Sequence, residues 1–246
     1  ELDAEGRAKA AALAKSFLGP RVNQRELFEE TGDVDFGYEI PGLARYRANF
    51  FMQKNGVGAV FREIPSTVMT CEQLGMPPVV AKLATLPRGM VLVTGPTGSG
   101  KSTTLASIID VANRARKDHI ITVEDPIEFV HQRNKCLLSQ REVGVHTSSF
   151  AAALRSALRE DPNVILVGEL RDHETISLAL TAAETGHLVL STIHTNDAAG
   201  SITRLLDMGV EDYLLTSTVN AILAQRLREV IGALPPLVRR TGFPPR

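Results

Sequence analysis

The chain has 246 residues, and 27 Lys and Arg set against 28 Asp and Glu leave a net charge of −1. That balance argues against a broad phosphate-binding surface, so a nucleic-acid translocase is disfavoured and no direct nucleic-acid partner is expected. With 43% hydrophobic and 22% charged residues, 19 Gly, 13 Pro and no Trp, it is too apolar to be disordered, too charged for a membrane bundle, and suited to an α/β fold rich in turns.

Residues 1–18 place Leu13, Phe17 and Leu18 at helical spacing before Gly19-Pro20, which predicts a helix that stops there. Three β-rich stretches follow, at 34–40, 45–53 and 57–64, with Asn55-Gly56 as a hairpin signal between the last two. A connector bearing prolines, 64–88, leads to Gly89. Beyond it, strands are expected at 90–94, 119–123, 163–167 and 187–192, and helices at 102–115, 149–159 and 172–184. Near-continuous Val/Ile/Leu strands joined by helical crossovers predict a parallel sheet covered on both faces. The expected division is a small α+β unit at 1–63, a linker at 64–88, a nucleotide-binding domain at 89–227 and a tail at 228–246.

Cys71 and Cys136 stand far apart without ligand-spaced partners, so neither a disulfide framework nor a zinc site is indicated. No basic start leads into an apolar run, and no window reaches the roughly 18 apolar residues that cross a bilayer. A soluble cytoplasmic chain is expected.

Gly95-Pro96-Thr97-Gly98-Ser99-Gly100-Lys101-Ser102 fits G-x-x-x-x-G-K-[ST] in full, after a predicted strand and at the start of a predicted helix. The glycines let backbone N–H groups face the phosphates of a nucleoside triphosphate, Lys101 reaches the β and γ oxygens, and the Ser102 hydroxyl ligates Mg²⁺. Thr103 continues the same first turn. Metal and water need further groups at the carboxyl ends of neighbouring strands. Glu124 and Glu169 each follow a predicted strand; Glu169 suits the metal side and Glu124 the water, with the two roles left open.

His187 and His194 flank one predicted strand at a spacing that puts them on opposite faces, so at most one faces the nucleotide. His194 is the better placed as a γ-phosphate sensor; His187, beside Gly186, is open to a structural reading. The remaining histidines show no metal-ligand spacing. Arg155 and Arg159 share a helix face at i, i+4, and Arg47 and Arg62 lie on the β-rich unit. Each pair is open to a plain solvated role, yet phosphoryl transfer calls for a cation beyond Lys101, often from another subunit.

Four segments together carry a resemblance: the loop 95–104, Ile121-Thr122-Val123-Glu124-Asp125-Pro126-Ile127-Glu128-Phe129, the run 158–172 around Gly168-Glu169, and 181–195 with both histidines. They resemble the Walker A, Asp box, Walker B and His box of the type II/type IV secretion ATPase superfamily, in that family's order over about residues 30–226, and most resemble its pilus retraction branch. The resemblance implies a RecA-like ATPase domain preceded by a partial PAS-like domain, hydrolysing ATP with Mg²⁺ in a homo-hexameric ring that drives type IV pilus retraction and twitching motility. It implies a cytoplasmic motor held peripherally at the inner membrane by a platform protein of the pilus machine. By position, Glu124 falls in the Asp box, Glu169 in the Walker B and His187 and His194 in the His box. Arg47 and Arg62 match N-terminal arginines that reach phosphate across a subunit boundary, and Arg155 and Arg159 match the pair before the Walker B.

Departures bear on the branch. Residues 214–227 read more like the assembly and type II secretion enzymes, the alternative within the superfamily, but the four-cysteine metal loop typical of those is missing. After Leu227 the Ala-Ile-Arg-Asn-Leu-Ile-Arg-Glu motif of retraction enzymes does not occur, and 234–240 resembles a strand those enzymes carry near their N-terminus.

Overall fold

A computed structural model describes residues 22–40, 43–64 and 67–227. The helix expected over 1–18 and the tail 228–246 lie outside the described residues.

Helix α1 (Val22–Thr31) precedes an antiparallel sheet of β1 (Asp33–Ile40), β2 (Ala44–Gln53) and β3 (Gly56–Ile64), in the order β1-β2-β3. Alternation turns Val34, Phe36, Ala48 and Phe50 to one buried face, where the rings of Phe36 and Phe50 stack at 5.6 Å and Phe28 of α1 packs on them. The hairpin exists, but its loop is Lys54-Asn55, because Gly56 already pairs with Gln53 and takes a φ of 116°. The Asn-Gly pair therefore straddles the loop and the strand.

The stretch expected as a linker is partly core. It carries α2 (Pro78–Leu83), started by a proline at the helix entry, and Cys71, Val80 and Ala84 are buried against Ile108 and Ile109. Ser107 also donates to the Met69 carbonyl at 2.6 Å. Such packing stiffens a segment whose composition suggests a hinge.

The main sheet has six parallel strands in the order β6-β5-β7-β8-β4-β9: β4 (Gly89–Thr94), β5 (His119–Glu124), β6 (Leu137–Glu142), β7 (Val164–Val167), β8 (Leu188–Ile193) and β9 (Val219–Ala224). Its helices are α3 (Lys101–Ala115), α4 (Phe150–Ala157), α5 (His173–Glu184), α6 (Ala198–Asp207) and α7 (Asp212–Thr218). Every residue of β4, β7 and β8 is buried. Strand alternation splits β4 between two cores. Met90 and Leu92 join Leu154, Ile176 and Leu180 on one face, while Val91 and Val93 join Leu105, Ile108 and Ile109 of α3 on the other. Burying each such Leu or Ile side chain is worth about 1.5–3 kcal/mol.

The four expected strands of this sheet are present within a residue of their ends, whereas β6 and β9 have no counterpart among those expectations. Both are sheet edges, and Leu-Leu-Ser-Gln-Arg-Glu and Val-Asn-Ala-Ile-Leu-Ala are half-exposed rather than continuous apolar runs. Helix α4 ends at Ala157, two residues earlier than expected, with its C-cap at Leu158. No helix among the described residues is long and apolar enough to cross a membrane.

Candidate nucleotide site

Strand β4 delivers the loop 95–100 to the carboxyl edge of the sheet. Gly95 is dictated by close approach, since a Cβ there would lie 2.2 Å from the Gln225 carbonyl oxygen. Gly100 is dictated by conformation: with φ 88° it starts α3 in the left-handed region and offers no side-chain cap. The first N–H groups of α3 are thus left to an external acceptor, at the positive end of a 15-residue helix. Lys101 folds over the loop and donates to the carbonyls of Gly95 at 3.0 Å and Pro96 at 3.2 Å. Burial lowers the pKa of its ammonium, and the charges of Glu169 and Glu128 act in the opposite direction.

A cavity of about 530 Å³ opens at this loop. Thr97, Gly98, Gly100, Lys101, Ser102 and Thr103 form one wall; Gly95, Pro96 and Ser99 of the same loop do not line it. Glu169, just beyond β7, stands opposite, with Arg171 Nη2 at 2.7 Å and His194 Nε2 at 3.1 Å from its two carboxylate oxygens. His194 is held there because Thr195 locks onto the end of β4: its N–H donates to Thr94 Oγ1 at 3.1 Å and its carbonyl accepts from the same hydroxyl at 2.8 Å.

Glu124 also borders the cavity, but both of its oxygens are engaged from inside. Thr122 donates to one at 2.7 Å and the Glu128 N–H to the other at 3.2 Å, with Gln140 at 3.4 Å. Burial pushes its carboxyl above the usual range, against the pull of these donors. The side chain so anchored shapes the turn 125–128, which presents Asp125, exposed, and Glu128, half-buried, to the cavity. Glu128, Arg171 and Thr195 were not expected from the sequence; the third acid of Glu124-Asp125-Pro126-Ile127-Glu128, four residues after the first, was the available signal.

The antiparallel unit supplies the remaining wall. Arg47 and Arg62 are directly opposed in the register of β2 and β3, and both line the cavity. Like charges so placed oppose folding. Arg47 is compensated by Asp35, whose hydrogen bond raises the arginine's pKa, while Arg62 has no ion pair among the described residues. The unit is seated by Glu142, whose buried carboxylate accepts from Arg45 Nη2 at 3.0 Å, the Gly37 N–H at 3.4 Å and, from the acid turn, the Ile127 N–H at 3.2 Å. The sequence reading carried Arg47 and Arg62 across a subunit boundary; here they reach the cavity of their own chain.

Three other expectations are corrected. His187 lies at the amino end of β8, about 20 Å of strand away from the cavity end, and its ring bonds the Ala182 carbonyl at 2.9 Å. Arg155 pairs with Glu174 of α5 on the outer surface. Arg159 falls beyond the end of α4, so the two arginines do not share a helix face. None of the three lines the cavity.

His131 does line it, and burial pushes its imidazole down to about 4 in spite of Asp110. The unfolded chain accepts a proton near pH 6.5 that the folded chain refuses. The histidine's contribution to stability is therefore complete above about pH 6.5 and is lost as pH falls toward 4. Denaturant titrations should find the wild-type advantage over His131→Gln about 2 kcal/mol smaller at pH 4.5 than at pH 7. A pH-independent difference would contradict the buried neutral imidazole.

Parallel strands, a glycine-rich loop at the exit of β4 and acids at the exits of β5 and β7 define a RecA-like P-loop fold with a small antiparallel unit in front. The chain belongs to the type II/IV secretion system protein family, whose model matches residues 46–233. It is 55% identical over 215 residues to the type IV pilus retraction ATPase PilT of Pseudomonas aeruginosa, covering 85% of this chain and 62% of that protein. It is 54% identical over 211 residues to a twitching motility protein of Neisseria gonorrhoeae, covering 83% of this chain and 56% of that one. A crystal structure of the pilus retraction motor PilT with bound ADP superposes with a TM-score of 0.85 at 47% identity, over 91% of this chain and 66% of that one. The chain thus spans about three fifths of the length of these curated relatives.

Proposed function

We propose that the chain hydrolyses ATP with Mg²⁺ and forms the motor part of a homo-hexameric ring that drives type IV pilus retraction. The observation that carries this reading is one cavity, within one chain, shared by the phosphate loop, Glu169 with His194, Glu128, and Arg47 with Arg62. ADP bound to the related retraction motor supports the choice of nucleotide.

The N–H groups at the start of α3 and the Lys101 ammonium hold the β and γ phosphates. Mg²⁺ suits the oxygen donors of Ser102 and Glu169. Among the described residues no group of three or more His, Cys, Asp or Glu could hold a metal by itself, as expected where substrate phosphates complete the shell. When bound, the ion would neutralise charge on the transferring phosphoryl group. Glu128 takes the proton of the attacking water, Glu124 fixes the turn that carries Glu128, and His194 reads the γ-phosphate through its contact with Glu169. Arg47 and Arg62 close over the terminal phosphate as the antiparallel unit settles.

On this reading the ring works at the cytoplasmic side of the inner membrane, against a platform protein of the pilus machine. Phosphate release from ATP by the purified chain, with and without Mg²⁺, tests the chemistry.

A further inference from the structure

Gln225 directly follows β9, far in sequence from the phosphate loop, yet it touches that loop at both of its ends. Its backbone N–H donates to the Thr94 carbonyl at 2.9 Å, where β4 ends. Its carbonyl oxygen fills the space that a side chain on Gly95 would need. Its amide uses both ends: Nε2 donates to the Ser99 carbonyl at 2.7 Å, and Oε1 accepts from Thr104 Oγ1 at 2.8 Å. Thr104 is buried in the first turn of α3, and Ser99 sits at the turn just before it. One side chain therefore ties the loop to the helix that the loop feeds.

Glycines leave the segment 95–100 many alternative conformations, and fixing it costs more entropy than fixing ordinary residues. A loop that spends part of its time in other shapes binds its ligand with an affinity reduced by that fraction. Gln225 removes that loss in advance. Only an amide of this length serves: Asn is one methylene short, and Glu would set a carboxylate oxygen against the Ser99 carbonyl. Among the described residues β9 is an edge strand, paired to β4, with a register shift between Met90 and Val91. The seating of that edge is thereby felt at the phosphate loop.

We infer that Gln225 is a positioning residue for phosphate binding, which holds the loop 95–100 in its receptive shape and makes nucleotide affinity depend on β9. The inference rests on the nucleotide reading of the cavity given above. Titration of the full chain with a fluorescent ADP in Mg²⁺ buffer, alongside its melting temperature, separates the two. Gln225→Ala should weaken binding roughly tenfold, the scale of two lost hydrogen bonds, with a melting temperature close to wild type. Thr104→Val should weaken it less, and the double variant should bind no worse than Gln225→Ala, because both remove the same brace. Should the alanine variant fail to fold, Gln225→Met keeps the volume and carries the same expectation.

Binding by Gln225→Ala within twofold of wild type, a fall in melting temperature alone, or additive effects of the two substitutions would overturn the brace. If the wild-type chain itself binds no ADP, the nucleotide reading falls and the brace with it.

Discussion

Lys101→Ala is expected to lower the rate of ATP hydrolysis by roughly 10³, the scale of losing a charged donor aimed at the transferring group. The ammonium is the cation of the loop itself, and it already faces Glu169 and Glu128 across the cavity. Its own partners are the carbonyls of Gly95 and Pro96, which belong to the loop and not to the apolar core, so the melting temperature should stay near that of the wild type. Phosphate release and thermal melting measured on the same preparations decide the matter. Turnover within tenfold of wild type would mean that the loop does not hold the reacting phosphates.

The second large effect separates two acids. Glu128→Gln should lower turnover by about 10²–10⁴, the usual worth of a general base, while ADP still binds, since the loop contacts are untouched. Glu124→Gln should act differently. An amide there keeps one acceptor but turns N–H groups toward Thr122 or toward the Glu128 N–H, both of which now donate to the carboxylate. The expected cost is about 1–3 kcal/mol of stability, with a smaller loss of turnover that follows the misplaced turn. Rate measurements under saturating ATP, paired with denaturant unfolding, give the comparison. A greater loss of turnover in Glu124→Gln than in Glu128→Gln would reverse the assignment.

The parts of the fold legible from sequence are those where one local rule dominates. Residues 90–94 and 163–167 read as buried parallel strands because both of their faces meet helices, and the phosphate loop reads directly because its glycines and lysine have one well-defined job. The edges β6 and β9 escape such reading, since most of their residues are only partly buried and their polar side chains carry the long-range bonds. Gln140 and Glu142 on β6 brace the acid turn and the antiparallel unit, and neither announces this in its neighbours. The acid pair shows the same limit. Glu124 sits at the strand exit where a catalytic acid is expected, yet it is buried with three internal donors on its carboxylate, and the same cavity is also lined by Asp125 and, four residues on, by Glu128. For the histidines, strand geometry decides: His194 leaves β8 at the carboxyl edge, where the cavity is, and His187 enters at the other end. The Arg155 and Arg159 pattern misled because α4 stops at Ala157.

Within a single chain, the phosphate loop, Glu169, Glu128, Arg47 and Arg62 line one cavity, so the arginines are expected to act on the nucleotide of their own chain. The most direct test mixes Lys101→Ala protein, which carries intact arginines, with Arg62→Ala protein under conditions where subunit exchange is confirmed, and follows Mg²⁺-dependent phosphate release. Wild-type rings should release phosphate, each variant alone should be nearly inactive, and mixing should restore nothing, because each chain's arginine serves its own site. Recovery of activity in the mixed rings would place Arg62 over a neighbour's phosphate loop and contradict the single-chain cavity.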